Sequence, residues 1–190
     1  LMNILSGLAS PDEGAIKLFD EDVSFSNCMD AIKHGIGMVH QHFMLVPVFT
    51  VAENIVLGNE PKKGGIELDI KKARKMVLDL SDRYGLRVLP DNVISDIPVG
   101  MQQRVEILKA LSREAKILIL DEPTAVLTPQ EVEELYAIMH SLRDGGHTII
   151  FITHKLQEVK EITDRVTVLR DGRTVGTVKT QDVTQEDLAR

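Results

Sequence analysis

The nine residues KILILDEPT, from Lys116 to Thr124, decide how the rest of this 190-residue chain is interpreted. Four apolar residues with high β propensity run directly into two adjacent carboxylates, Asp121 and Glu122. An unbroken apolar run of this kind predicts a strand buried on both faces, as in a parallel sheet between helices. Ligands collect at the carboxyl ends of such strands. Pro123 ends the strand pairing because proline has no N–H to donate.

The paired carboxylates suggest a metal-nucleotide site. Two neighbouring negative charges repel each other and are costly to bury, and a cation or a polarised water relieves that cost. In this interpretation Asp121 holds Mg²⁺ through water, and Glu122 polarises the water that attacks a phosphoryl group. The alternative is a solvated strand end that begins a loop, where Asp-Glu is common. This stretch alone leaves both interpretations open.

Composition narrows the class of protein. The chain has 22 Lys and Arg against 29 Asp and Glu, for a net charge of −7, whereas broad nucleic-acid binding requires a basic face. No apolar run is long enough to cross a bilayer as a helix. The single cysteine, Cys28, cannot form a disulfide within the chain, which fits a reducing cytosol. The length predicts one soluble domain with a sizeable core.

Hydrophobic periodicity and turn residues predict alternating strands and helices, and hence the α/β class. A helix is expected from Asp69, as N-cap, to Tyr84, with Gly85 as its C-terminal stop. Asp171-Gly172 predicts a hairpin between two strands. The other expected elements are helices at residues 1–8, 29–33, 51–58, 128–144, 155–162 and from Thr184 to Arg190, strands at residues 15–19, 36–39 and 147–153, and a loop at residues 61–65.

A second segment, IPVGMQQRVEIL at residues 97–108, adds an anion-binding pattern. Glycine lets the backbone approach a ligand closely, and a helix that begins there presents free N–H groups and a positive dipole end. The segment resembles the signature motif of the ATP-binding-cassette (ABC) ATPases, and KILILDEPT resembles their Walker B motif. Residues 99–106 and 124–129 are most similar to the importers of simple sugars and nucleosides, and the resemblance covers nearly the whole chain.

The resemblance implies a fold. It is a P-loop NTPase-like core of mainly parallel strands with flanking helices, ending in a C-terminal β-hairpin. Residues 1–190 form one ABC ATPase domain, into which a helical subdomain at about residues 60–113 is inserted and carries the signature motif. The family's glycine-rich phosphate-binding loop is missing, since no G-x-x-x-x-G-K-[ST] occurs in the sequence. We therefore expect a fragment, with that loop just before Leu1.

The resemblance also implies a site for ATP and Mg²⁺. The resemblance implies that Asp121 and Gln41 bind the metal and that Glu122 activates water. Gln41 lies at the family's Q-loop position. His154 matches the switch histidine that contacts the γ-phosphate; taken singly, a histidine at a strand end is more often structural. The residues expected to reach the ATP of a partner cassette are Val99, Gly100, Met101 and Gln102.

Two residues depart from the family pattern. Pro98 stands where the signature serine is usual and cannot donate a hydroxyl hydrogen bond. Thr128 stands where the family usually has an aspartate, but Thr128-Pro129-Gln130-Glu131 is also a helix-capping box. His40 and His42 beside Gln41 raise the alternative of a transition-metal site, although no cysteine or third histidine is near in sequence.

The implied function is ATP hydrolysis that drives a sugar or nucleoside importer at the cytoplasmic face of the membrane. The implied partners are a second cassette, membrane-spanning subunits and, indirectly, a solute-binding protein, with no nucleic acid. Two alternatives stay open. One is a degenerate cassette that docks without hydrolysing ATP; the other is a soluble ABC ATPase outside transport.

Overall fold

A computed structural model of the chain describes residues 1–64 and 67–189. The helices are α1 (Met2–Leu5), α2 (Cys28–Lys33), α3 (Val51–Val56), α4 (Ile70–Tyr84), α5 (Val99–Leu111), α6 (Pro129–Asp144), α7 (Leu156–Ile162) and α8 (Gln185–Ala189). The strands are β1 (Ile16–Leu18), β2 (Glu21–Val23), β3 (Ile36–Val39), β4 (Lys62–Lys63), β5 (Glu67–Leu68), β6 (Ile117–Asp121), β7 (Thr148–Ile152), β8 (Arg165–Arg170) and β9 (Arg173–Lys179). Short 3₁₀ turns lie at Ile94–Asp96 and Thr180–Asp182.

The centre of the fold is a three-stranded parallel sheet in the order β3-β6-β7. The KILILDEPT segment supplies its middle strand, β6, so its backbone groups pair on both edges. Leu118 and Ile119 are fully buried on opposite faces of this strand. This confirms the prediction of a strand buried on both faces within a parallel sheet.

Helices α3, α4, α5 and α6 form one continuous core with the face of the sheet that carries Leu118 and Leu120. Helix α4 begins and ends as its sequence predicts. The Asp69 side chain accepts a hydrogen bond from the backbone N–H of Lys72, and Gly85 adopts the left-handed conformation at φ 67°. Its apolar residues face this core, namely Ala73, Met76, Val77, Leu80 and Tyr84.

The opposite face of the sheet packs against the N-terminal segments. Phe25, Ala31, Ile36 and Ile119 form a second buried cluster, joined by side chains of α1 and β1. The predicted first helix is shorter than its apolar pattern, since α1 ends at Leu5. Gly7 then turns the chain at φ 73°, where a Cβ atom would lie 2.4 Å from the carbonyl oxygen of Asn27.

Two local predictions need correction. The strand expected at residues 15–19 is the first arm of a β1–β2 hairpin, turned by Phe19 and Asp20 at φ 51° and 68°. No Gly or Asn marks this turn, and Phe-Asp is not one of the dipeptides that predict a two-residue hairpin turn. The loop expected at residues 61–65 contains β4, which pairs with β5. Gly65, the last residue of that expected loop, lies outside the described residues.

The C-terminal part follows its prediction. Strands β8 and β9 pair across Asp171-Gly172 as an antiparallel hairpin. Helix α8 lies inside the last predicted helix, whose final residue, Arg190, lies outside the described residues. Within the described part of the chain, every helix is too short or too polar to cross a membrane.

Candidate functional site

The candidate site is the edge of the sheet where the three parallel strands end. Val39 of β3 is paired with Leu120 of β6, and Asp121 is paired with Ile152 of β7. Gln41, Glu122 and His154 follow these strand ends by one or two residues. The topology therefore brings all four predicted core-site residues, including Asp121, to one edge, as expected for ligand binding in an open α/β sheet.

Glu122 and His154 are in direct contact. His154 Nδ1 lies 3.1 Å from Glu122 Oε1, although the two residues are 32 positions apart in sequence. An ionised carboxylate can only accept, so the Nδ1–H donates and Nε2 remains for another partner. The exposed fraction of the side chain is 31% for Glu122 and 71% for His154. The pair is thus open on the His154 side.

The backbone at Glu122 is strained. Its φ of 44° is in the left-handed region, which is uncommon for a residue other than glycine. The Glu122 N–H donates to the Ile152 carbonyl at 3.0 Å, and its carbonyl accepts from the Ala125 N–H at 3.2 Å. These bonds hold the strained turn between β6 and the following loop. Such strain is typical of functional sites.

The signature helix α5 is bonded to the same turn. The buried side chain of Gln103 donates from Nε2 to the Pro123 carbonyl at 2.8 Å, one residue after Glu122. The local sequence does not predict a role for Gln103. The only available signal was an amide inside a helix whose pattern predicts burial at that position.

Backbone N–H groups and one side chain in the first turn of α5 make hydrogen bonds with nearby carbonyl groups of the chain. The N–H groups of Met101 and Gln102 both donate to the Pro98 carbonyl at 3.0 Å. The Gln102 side chain donates to the carbonyls of Ile94 and Ile97, at 3.3 and 3.1 Å. The Gln102 amide group is therefore engaged with its own chain, whereas Val99 is exposed.

Gly100, the central glycine of the signature segment, contacts a carboxylate. Its N–H donates to Glu131 Oε1 at 3.2 Å. The other oxygen, Oε2, accepts from the N–H and hydroxyl of Thr128, at 2.9 and 3.0 Å. These hydrogen bonds, led by that from the Thr128 backbone, lower the pKa of Glu131. The capping box predicted for Thr128 is confirmed.

A cavity of about 170 Å³ lies between α5 and β3 with the segment that follows β3, and both apolar and charged side chains line it. Glu106 is only 5% exposed, and its Oε1 has no hydrogen-bond partner among the described residues. Burial raises the pKa of Glu106 and lowers that of Lys109, whose Nζ donates to the Met44 carbonyl at 3.0 Å. Helix α5 thus contacts the segment that carries Gln41.

The alternative of a transition-metal site at His40 and His42 gains no support. His42 is exposed, and His40 lines the cavity. Across residues 1–64 and 67–189, no three His, Cys, Asp or Glu side chains gather as a metal site. Asp121 and Gln41 instead offer a carboxylate and an amide oxygen, the hard oxygen donors that suit Mg²⁺.

Comparisons with known proteins agree with the motifs. A family described as "ABC transporter" matches residues 1–125. A nucleoside import ATP-binding protein of Lactococcus lactis is 57% identical over all of this chain, which covers 37% of that protein. A glucose import ATP-binding protein of Haloferax volcanii is 47% identical, again over the whole chain and 39% of that protein. The chain thus spans a little over a third of the length of these curated relatives.

The fold is also that of solved ATP-binding cassettes. The protein cbiO1 of Clostridium perfringens, described as part of an ABC transporter complex, superposes with a TM-score of 0.77 at 28% identity. The match covers 99% of this chain and 74% of that one. The predicted P-loop NTPase-like fold class, with a parallel sheet, flanking helices and a C-terminal hairpin, is confirmed.

Proposed function

This chain belongs to the ABC transporter family, and from that premise we propose that it contributes the hydrolytic half of an ATP site in a nucleoside or sugar importer. The observation that carries the proposal is the Glu122–His154 contact of 3.1 Å at the carboxyl edge of the sheet. Isolated acids and histidines at strand ends are common. A carboxylate and an imidazole from neighbouring strands, in contact beside a second acid, match what phosphoryl transfer to water requires.

Each residue at this edge has a distinct role in the proposal. Glu122 Oε2 accepts a proton from the attacking water, while its other oxygen is held by His154. When both ring nitrogens of His154 carry a hydrogen, Nε2–H donates to a γ-phosphate oxygen while Nδ1–H donates to Glu122, so the ring also orients the water relative to the phosphate. Asp121 and Gln41 would provide oxygen ligands for Mg²⁺, which would neutralise part of the negative charge on the phosphate when bound.

The substitution Glu122→Gln tests the assignment of the base. In the complete natural protein, we expect ATP binding to persist and the rate of hydrolysis at this site to fall about 10²- to 10⁴-fold, the usual contribution of a general base. Glu133→Gln is the matched control, because Glu133 is an exposed acid of α6 that makes none of the contacts described at this edge. Undiminished hydrolysis in Glu122→Gln, measured by phosphate release with other nucleotide sites inactivated, would overturn the proposal.

We also propose that the signature segment contacts ATP held by a second cassette. The candidate contacts are Val99, Gly100, Met101 and Gln102. In the structure the Gly100 N–H is bonded to Glu131, and Gln102 is bonded to its own chain. Contact with a partner's phosphate therefore requires Glu131 to release the Gly100 N–H. Residues 60–113, which include α4 and α5, form the helical subdomain of this proposal.

The remaining proposed partners are membrane-spanning subunits, which would hold the chain at the cytoplasmic face, and indirectly a solute-binding protein. For the solute we favour nucleosides, because the relative named for nucleoside import is more similar than the one named for glucose import. Uptake of labelled guanosine and glucose by cells with and without the gene tests this choice. Loss of glucose uptake alone would contradict it.

The two other candidate functions are less well supported. A degenerate cassette is suggested by Pro98 and Thr128, but the Glu122–His154 pair is intact in the fold. A soluble ABC ATPase outside transport finds no support in the relatives reported, which are named for import. Purification of the complete protein without membrane subunits would favour that alternative.

A further inference from the structure

Glu158 lies in the first turn of α7 and has no role in the site described so far. It is only 6% exposed, although it is a charged residue type. Thr124 Oγ1 donates to its Oε1 at 2.6 Å, and Thr153 Oγ1 donates to its Oε2 at 2.8 Å. Lys155 Nζ contacts Oε1 at 3.0 Å. A buried carboxylate that takes up donors from separate segments needs a reason for being there.

One oxygen of Glu158 contacts the segment that carries Glu122, and the other contacts the segment that carries His154. Thr124 is two residues after Glu122, and only Pro123 lies between them. Thr153 is directly before His154. One rigid carboxylate therefore connects the loop that carries the acid with the strand end that carries the imidazole. We propose that Glu158 is a positioning residue, which holds Glu122 and His154 at their contact distance through Thr124 and Thr153.

The path from Glu158 to Glu122 is short and stiff. Thr124 is 3% exposed, so it has little room to move. Pro123 has a φ fixed by its ring, and its carbonyl is held by Gln103 at 2.8 Å. A displacement of Thr124 would therefore move Glu122 by a similar amount. On the other side, Thr153 also accepts from the Lys155 N–H at 3.0 Å, so its hydroxyl is held from two directions.

The electrostatic surroundings keep the carboxylate charged. Burial by itself would raise the pKa of Glu158, but hydrogen bonds from Thr124, Thr153 and Lys155 outweigh this effect and lower the pKa. Lys155 Nζ also lies 3.1 Å from Thr124 Oγ1, which closes the network. An acid that only capped α7 would accept from backbone N–H groups of that helix. The described donors to Glu158 are the side chains of Thr124, Thr153 and Lys155, all of which precede the first residue of α7.

The inference rests on the proposed function, so the effect of each variant is compared with the effect of Glu122→Gln. In the complete natural protein, the rate that Glu122→Gln removes defines the share of ATP hydrolysis due to this site. We expect Glu158→Ala to reduce that share about 10-fold or more, with the KM for ATP unchanged, since small misplacements of reacting groups are costly. We expect Glu158→Gln, which keeps one acceptor oxygen, to restore part of it. Glu161→Ala, an exposed acid on the same helix, is the control and leaves the rate unchanged.

A double substitution separates positioning from general support of the fold. If Glu158 acts through the pair, Glu158→Ala in a His154→Ala background lowers the remaining rate less than about twofold, because the contact it maintains is already absent. An unchanged kcat in Glu158→Ala, a rise in KM alone, or a full additional loss in the double variant would overturn the inference. Should Glu158→Ala fail to fold, Thr153→Val takes its place with the same expectations.

Different results would refute the proposed function and the positioning role of Glu158. If Glu122→Gln removes no hydrolysis, the proposed function itself is wrong, and the inference falls with it. If Glu122→Gln abolishes hydrolysis at this site while Glu158→Ala and Thr153→Val retain it, the function stands and Glu158 is only structural.

Discussion

A methyl group at position 100 should destabilise the signature helix only while Glu131 is present. Gly100 has a helical rather than a left-handed backbone, so alanine suits its local conformation. A Cβ atom there would nevertheless lie 2.5 Å from Glu131 Oε1 and 2.8 Å from its Cδ. Such distances are far inside van der Waals contact, so the carboxylate must move away in the Gly100→Ala variant.

The magnitude follows from what the carboxylate gives up. Its displacement breaks the charged hydrogen bond from Gly100, worth about 1 kcal/mol at a half-exposed site. Because both oxygens belong to one rigid group, the two hydrogen bonds that Thr128 donates to Oε2 are lost as well, at about 1 kcal/mol for the exposed pair. Replacement of glycine in a helix returns about 0.5–1 kcal/mol. The net expectation for Gly100→Ala is a loss of roughly 1 kcal/mol in the local opening free energy of α5 and α6.

The assay is native-state hydrogen exchange of peptides from α5 and α6 in the complete protein. We expect amide exchange to become about fivefold faster in Gly100→Ala, in line with roughly 1 kcal/mol of opening free energy. In a Glu131→Ala background the same substitution should slow exchange, since only the gain from replacing glycine remains. If Gly100→Ala accelerates exchange equally in both backgrounds, Glu131 is not the reason for glycine at this position.

Two further predictions concern helix α5. Pro98→Ser should lower the ATP concentration needed for half-maximal hydrolysis in the complete protein, because a serine hydroxyl adds a phosphate contact worth roughly 1.5–3 kcal/mol; equal concentration dependence and equal dimer affinity would refute this. Glu106→Gln should raise the free energy of unfolding at pH 8 by about 1 kcal/mol, because it removes a buried charge with an unpartnered oxygen. Burial raises the pKa of Glu106 in the folded protein. Protonated Glu106 therefore adds to the free energy of unfolding at low pH, and this addition is lost as the pH rises through the folded-state pKa. Chemical denaturation at pH 5 and pH 8 should therefore show a weaker pH dependence in Glu106→Gln, with Glu114→Gln as the exposed control.

Helix caps and strands that depend on residues close together in the sequence could be predicted. The caps at Asp69 and Thr128 and the strand in KILILDEPT all appear as expected, because each is set by side chains within a few positions. The arrangement of strand ends was also predictable, since parallel strands must end at the same edge. These two features predict that Glu122 and His154 lie at the same edge of the sheet.

Contacts between distant segments were not predictable. The bond from Gln103 to the Pro123 carbonyl joins residues 20 positions apart, and that from Gly100 to Glu131 joins residues 31 positions apart. Glu158 looked like an ordinary acid at the start of a helix. The turn at Phe19 and Asp20 is not evident from the sequence because Asp tolerates a positive φ but Phe rarely adopts one. In each case the deciding partner or conformation comes from packing, which a local pattern does not contain.

The hydrogen bond between Gln103 and the Pro123 carbonyl has a consequence for how two cassettes would work as a pair. In the proposed assembly, α5 faces the nucleotide of the neighbouring subunit, while Pro123 adjoins the general base for this subunit's own nucleotide. Through this single buried hydrogen bond, the binding of ATP by the neighbouring subunit would affect the position of the general base in this subunit. Two sites connected in this way should show turnover that is correlated between them, even when their individual affinities for ATP are the same.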